Sequence, residues 1–248
     1  MRFEGKVVLV TGASQGIGEA TAVAFGTEGA AVVVNHFGTK PRATAVGKKI
    51  SGRGGAALVL EADVSDPQAV GAMIKETMST FGRVDILVNN AGIVSRAPIS
   101  ELAYDEWERV IKVNLGGVFN LCKEVVPIML SQRYGKIINI SSELAIVGEE
   151  RLVHYCAAKA GILGLSKALA REVGPSGIQV NVVAPGKTRT PMLLATPSNW
   201  APEALEAIPL RRLAEPEEIA ATVCFLASPD GDYYAGAVLS PNGGIVMW

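Results

Sequence analysis

Lys6-Val7-Val8-Leu9-Val10-Thr11-Gly12-Ala13-Ser14-Gln15-Gly16-Ile17-Gly18 is the stretch that decides the fold. Its apolar, β-branched opening over 6–10 reads as a buried strand, and 16–27 reads as a helix. Between them, glycines let the backbone turn sharply and approach a pyrophosphate, whose charge would sit at the helix amino terminus. The spacing is Gly-x-x-x-Gly-x-Gly, not the commoner Gly-x-Gly-x-x-Gly. Alone, such a turn is equally a tight strand–helix connection. Its place between first strand and first helix is what gives it meaning.

Outward from this point the chain alternates. Further strands are expected at 31–35, 56–61, 86–89, 136–140, 179–183 and, last and short, 237–240. Helices are expected at 42–51, 67–81, 104–130, 153–173 and 217–227, with an irregular stretch over 185–215. Near-continuous apolar strands separated by helices imply a parallel sheet covered on both faces. The expected fold is therefore α/β, a Rossmann-type doubly wound parallel sheet of about seven strands. No composition shift, linker or internal repeat divides the chain, so residues 1–248 are read as one domain.

Composition bounds the function. Hydrophobic residues make up 49% of the 248 and charged residues 19%, which supports a sizeable core and argues against disorder. A formal net charge of −1 gives no electrostatic case for nucleic acid or an anionic membrane. Cys122, Cys156 and Cys224 are far apart and odd in number, which suits a reducing cytoplasm and offers neither a disulfide framework nor a metal site. The apolar run ending at Thr11 is too short for a signal peptide or a membrane span.

Open α/β sheets bind ligands beyond the carboxyl ends of their strands. Asp63-Val64, Asn89-Asn90-Ala91-Gly92, Ser141-Ser142 and Pro185-Gly186 each follow a strand and place small or polar groups on that edge. Any one of them is ordinary turn chemistry; all on one edge make a site. Tyr155 and Lys159 are four residues apart within the helix expected at 153–173, so they share a face. A phenol beside an ammonium is expected to lose its proton more easily and to serve as a general acid or base.

These residues, in this order and spacing, resemble the short-chain dehydrogenase/reductase family over essentially the whole chain. The resemblance rests on Thr11-Gly12-x-x-x-Gly16-x-Gly18, Asn89-Asn90-Ala91-Gly92, Asn114, Ser142, Tyr155-x-x-x-Lys159 and Pro185-Gly186. Val180-Asn181-Val182-Val183-Ala184-Pro185-Gly186 and Asn242-Gly243-Gly244 resemble the 3-oxoacyl-[acyl-carrier-protein] reductase-like members. The resemblance implies a carbonyl/secondary-alcohol oxidoreductase working by hydride transfer. Tyr155 is the implied proton donor or acceptor, and Lys159 lowers its pKa and binds the nicotinamide ribose. Ser142, preferred over Ser141, binds the substrate oxygen, and Asn114 holds a water in a proton path. The implied cofactor residues are Gly12, Ser14, Gln15, Gly16, Ile17, Gly18, Asn35, His36, Asp63, Val64, Asn90, Ala91, Gly92, Tyr155, Lys159, Pro185, Gly186, Thr188 and Thr190.

NAD-preferring relatives carry an acidic residue at the end of the second strand. Here the sequence is Asn35-His36-Phe37-Gly38-Thr39-Lys40, with no carboxylate to repel a 2′-phosphate. Lys40 or Arg42 is placed to reach one, and Asn35 and His36 to hydrogen-bond it. Against this, Gln15 stands where NADP-dependent relatives often have a basic residue. The expectation is NADP(H), with NAD(H) the alternative.

The irregular segment is expected to close a substrate pocket over 188–212, with Met192, Leu193, Leu194 and Trp200. Glu143, Ile93, Arg96, Val147, His154 and Lys187 are candidate contacts, His154 being read as structural. Arg133 fits a basic position that grips an acyl carrier protein near the site mouth, whereas Gly174-Pro175-Ser176-Gly177 stands where a second is expected. A free small carbonyl compound or a sugar is therefore kept as substrate, the latter because Val153-His154-Tyr155 resembles glucose dehydrogenase-like members. A silent nicotinamide-binding sensor is the alternative from another class. A homotetramer is implied by the family, with 104–130 and 153–173 as dimer surface and the apolar tail Ile245-Val246-Met247-Trp248 against a neighbour.

Overall fold

Strand β1 (Val7–Val10) shows how the two halves of the core are divided. Val8 and Val10 face one side, with Phe25, Val46 and Ile219, while Leu9 faces the other, with Val33, Val70, Leu121 and Ile162. Side-chain direction alternates along a strand, so a fully apolar strand requires a cover on each face. Helices α1 (Gly16–Thr27), α2 (Lys40–Ser51) and α10 (Pro216–Ala227) bury the first face. Helices α3 (Pro67–Phe81), α5 (Gly117–Gln132) and α7 (Val153–Val173) bury the second.

The computed structural model describes residues 1–196 and 201–247. Besides β1 the sheet contains β2 (Ala31–His36), β3 (Ala56–Glu61), β4 (Ile86–Asn89), β5 (Gly135–Ile140), β6 (Ile178–Val183) and β7 (Val238–Leu239). Their order is β3-β2-β1-β4-β5-β6-β7, and every pairing is parallel. The expected doubly wound sheet of seven strands is what the chain forms. The strand order reverses between β1 and β4, and that switch point is where such sheets open a crevice.

The helix expected at 104–130 is not uniform. It runs as α4 (Tyr104–Ile111), a wider π turn over Lys112–Gly116, and α5. A π turn spends one extra residue per turn and commonly marks a functional position. The 185–215 stretch is irregular as expected, with the single-turn helices α8 (Pro191–Leu194) and α9 (Pro202–Glu206) inside it. Its two ends are stapled together: Thr188 bridges Ala214, Arg189 N–H donates to the Ala214 carbonyl at 2.8 Å, and Ala214 N–H donates to the Lys187 carbonyl at 3.0 Å.

Candidate active site

A cavity of about 770 Å³ opens at the carboxyl ends of β1, β2, β4, β5 and β6. Of the residues expected to bind cofactor or carry catalysis, all but Gly18, Lys40 and Arg42 line it. Gly18 has a different task. A methyl group on it would stand 2.4 Å from the Gly12 carbonyl oxygen and 2.5 Å from Asn90 Nδ2, so its absence lets α1 pack against the turn.

Gly12 and Gly16 have φ of 60° and 58°, in the left-handed region that glycine enters freely. The turn they make is fastened on two sides. Gly12 N–H donates to Asn35 Oδ1 at 3.2 Å, and Asn35 Nδ2 donates to the Ala62 carbonyl at 3.1 Å. On the other side Thr11 Oγ1 accepts from the backbone N–H groups of Asn90 and Ala91, each at 3.0 Å. Asn90 Nδ2 in turn donates to the carbonyls of Thr11 at 2.9 Å and Gly12 at 3.2 Å. Asn35 is thus occupied in holding the turn, and its side chain is not free for a phosphate. Asn89 lies behind the cavity, donating to Asn139 Oδ1 at 2.8 Å; Asn139 donates to Ser166 Oγ on α7 at 2.8 Å.

The residues fit a dinucleotide. The first N–H groups of α1 have no carbonyl of their own helix to pair with, and they open beside the bare α-carbons of the turn. At the β2 end, Thr39 Oγ1 donates to Ser14 Oγ at 2.9 Å, and the Arg42 guanidinium bonds the Gln15 side-chain oxygen. His36 is buried with Nδ1 unpartnered. Between Gly12 and Thr39 no carboxylate lines the cavity. Asp63 lines it further along, its Oδ1 accepting from Ser65 N–H at 2.8 Å.

Tyr155 and Lys159 share the inner face of α7, with Lys159 Nζ 5.6 Å from the centre of the phenol ring. Lys159 Nζ donates to the Ile140 carbonyl at 2.9 Å at the end of β5. The two serines after β5 divide their work. Ser141 Oγ donates to the Lys159 carbonyl at 2.8 Å. Ser142 Oγ accepts from Leu144 N–H at 3.1 Å and lies near enough to the Tyr155 phenol to favour its ionised form.

The electrostatics differ from the sequence expectation. Burial pushes the Tyr155 phenol up to about 12, and Ser142 offsets this only in part. Burial also lowers Lys159 to about 8. The phenol therefore keeps its proton at neutral pH, because loss of solvent outweighs what Ser142 does to favour the phenolate.

Asn114 sits in the π turn, fully buried. Its Nδ2 donates at 2.9 Å to the Ile93 carbonyl and at 2.9 Å to the Val110 carbonyl, while Oδ1 has no protein partner. A methyl group on Gly92 would stand 2.6 Å from that Oδ1 and 3.6 Å from Lys159 Nζ. Gly92 thus keeps a notch between the amide oxygen and the ammonium.

The chain matches the family model described as Enoyl-(Acyl carrier protein) reductase over residues 12–246. It is 40% identical over 247 residues to 3-oxoacyl-[acyl-carrier-protein] reductase FabG of Thermotoga maritima, covering 100% of both chains. It is 44% identical over 242 residues to the protein of that name in Staphylococcus epidermidis, covering 98% of this chain and 99% of the relative. The chain belongs to the short-chain dehydrogenase/reductase family. The reductase also superposes on the crystal structure of a dehydrogenase/reductase from Sinorhizobium meliloti 1021. The TM-score is 0.93 at 38% identity, over 98% of this chain and 96% of that one. It is an oxidoreductase acting on a carbonyl.

Several expectations sort differently in the reductase. Ile93, Arg96, Glu143 and Lys187 line the cavity, as do Met192 and Leu193. Val147, His154 and Leu194 do not; Trp200 lies outside the described residues. His154 Nε2 instead bonds Ser95 Oγ at 2.8 Å, and Ser95 lies toward Glu106, whose carboxyl the Arg109 guanidinium, with help from Ser95, holds at about 2. Arg133 was placed near the site mouth, and the reductase overturns this within one chain. Arg133 caps the carboxyl end of α5, and the 174–177 turn follows α7, so both lie at the amino edge of the sheet, opposite the cavity. The tail is tied down by Asn242, whose Nδ2 donates to the Val246 carbonyl at 3.0 Å; Trp248 lies outside the described residues.

The sequence did not mark the π turn, which looks like any helix in its periodicity. Nor did it mark the burial of Glu143, named as one of several candidate substrate contacts.

Proposed function

We propose that the chain is an NADP(H)-preferring carbonyl reductase of the 3-oxoacyl type, acting as one domain from residue 1 to 248. The observation that carries this is the half-buried Tyr155 phenol, beside Ser142 and backed by Lys159, on the wall of a cavity fit for a dinucleotide. NAD(H) is the poorer cofactor in this reading. The cavity wall between Gly12 and Thr39 carries no carboxylate, Glu61 at the end of β3 being held by Gly38 N–H at 3.0 Å, and Thr39, Ser14, Gln15 and Arg42 form a hydrogen-bonded group there.

In this reading the nicotinamide, when bound, supplies the hydride. Ser142 Oγ and the Tyr155 hydroxyl hold the substrate carbonyl oxygen, and Tyr155 gives it a proton. The raised pKa of Tyr155 keeps that proton in place until charge develops on the oxygen. Lys159 binds the nicotinamide ribose. Asn114 Oδ1, unpartnered beside Lys159, holds a water through which the proton is replaced. Gly12, Ser14, Gly16, Ile17, Asn90, Ala91, Gly92, Pro185, Gly186, Thr188 and Thr190 hold the dinucleotide along the cavity, with Asp63 and Val64 at its adenine end.

A panel of 3-oxoacyl thioesters, free ketones and sugars, run with NADPH and NADH and followed by reduced-nicotinamide absorbance, tests the reading. A lower KM and higher turnover with NADH would reverse the cofactor assignment. Cofactor binding without turnover of any carbonyl or alcohol would make the chain a silent sensor.

The assembly proposed is a cytoplasmic homotetramer. Tyr104 and Trp107 on α4 and Phe119 and Leu130 on α5 are exposed apolar side chains on the surface expected to pair. The helix over Tyr104–Gln132 is long and apolar enough to cross a membrane by length and composition. Its inner side packs Val118, Leu121, Val125 and Met129 into the core, which supports a pairing helix instead. Light scattering of the purified protein measures the assembly.

A further inference from the structure

Glu143 follows Ser142 directly and has no task in the proposed proton transfer. Its backbone is fixed: the N–H donates to the Pro185 carbonyl at 3.0 Å, and its carbonyl accepts from Ile146 N–H at 2.9 Å. Its side chain is 4% exposed and lines the cavity, yet Oε2 has no hydrogen-bond partner. The carboxyl is packed against Gly186, where a methyl group would stand 2.6 Å from Oε2 and 2.6 Å from the Asn242 α-carbon. Lys187 lies close enough to favour the carboxylate and Glu149 to oppose it; burial outweighs both and holds the carboxyl at about 7. A buried polar atom without a partner is costly, and native proteins leave few of them.

We propose that Glu143 is a specificity-determining residue that hydrogen-bonds a second oxygen of the substrate, on a carbon near the reacting carbonyl. This rests on the carbonyl-reductase reading above. Ser142 fixes where the reacting oxygen lies, and Glu143 is the next residue along the same cavity wall. A substrate bearing a second oxygen supplies the missing partner; a plain alkyl ketone leaves the carboxyl unpaired and dry. Two chemistries provide that oxygen: the thioester carbonyl of a 3-oxoacyl compound, which accepts from the neutral acid, and a hydroxyl of a sugar-like compound, which bonds either form.

Three ketones of matched size separate these cases: a 3-oxoacyl thioester, a hydroxyketone and a plain alkyl ketone, each reduced by the wild type, Glu143→Leu and Glu143→Gln. For the wild type, kcat/KM with one oxygenated ketone exceeds that with the plain ketone by at least about tenfold. Which of the two does so identifies the source of the oxygen. Glu143→Leu collapses that ratio, chiefly through KM, and Glu143→Gln, which can donate and accept, restores most of it. Thermal melting of Glu143→Leu is not lowered, since no partner is orphaned. A ratio unchanged in Glu143→Leu overturns the proposal, as does an equal loss of kcat on all three ketones, which would mark a merely structural role. If the wild type reduces no carbonyl with either cofactor, the reductase reading falls and this inference with it. If the wild type is active and the ratio is indifferent to residue 143, this inference alone falls.

Discussion

The Ser141 hydroxyl donates to the Lys159 carbonyl at 2.8 Å, so the serine before the reacting one ties strand β5 to the helix that carries Tyr155. Ser142, its neighbour, faces the phenol. The two hydroxyls should therefore fail differently. Ser141→Ala is expected to cost about 1 kcal/mol of stability, the usual worth of a buried hydrogen bond, with a modest effect on rate. Ser142→Ala should lower kcat about a hundredfold with little change in melting. Denaturant titration alongside initial rates checks both.

Removing the phenol oxygen removes the proton donor without touching the dinucleotide cradle. Tyr155→Phe is expected to lower kcat by about a thousandfold or more while cofactor affinity stays near that of the wild type. Quenching of protein fluorescence by NADPH measures the affinity. A mutant that keeps most of its turnover would dismiss Tyr155 as the acid.

The group at the β2 end is predicted to read the cofactor's 2′-phosphate. Arg42→Ala removes the cation bonded to Gln15 and should raise the KM for NADPH about tenfold while barely changing that for NADH. His36→Asp places a carboxylate at the strand end and should invert the preference. Parallel kinetics with both cofactors decide it.

Burial holds the Glu143 carboxyl at about 7, against an ordinary value of 4.5. The folded chain keeps a proton that the unfolded chain releases, so its stability falls as pH rises from 4.5 to 7 and then levels off. Glu143→Gln lacks this titration. Its stability relative to the wild type should rise over that window by at most about 3 kcal/mol. Melting curves of both proteins across the pH range read the difference directly.

Gly92→Ala is expected to disturb the notch between Asn114 and Lys159, since the added methyl would lie 2.6 Å from Asn114 Oδ1. Turnover should drop at least about tenfold, with the loss concentrated in kcat. An alanine variant of normal rate would mean that the proton path runs elsewhere.

The sheet was legible because its signal is local and repeated. Val7–Val10 and residues 86–88 are apolar on both faces, and the glycine turn after β1 names the edge where ligand binds. The catalytic group was legible through its spacing. Three things were hidden, each for a physical reason. The π turn around Asn114 keeps the apolar pattern of an α-helix and differs only in which carbonyl each N–H finds. The pKa of Tyr155 depends on burial, which no four-residue spacing reports. The position of Arg133 depends on which edge of the sheet a connection serves, and its basic side chain alone says nothing of that.

The joined ends of the 188–212 segment bear on how such an enzyme diversifies. Thr188 and Ala214 meet beside the sheet whatever lies between them, because the staple is made of backbone bonds. Lengthening or shortening the intervening chain costs little loop entropy and leaves Tyr155, Ser142 and Lys159 where they are. Descendants can thus exchange one roof for another by insertion or deletion, trying new substrates while inheriting the reaction intact.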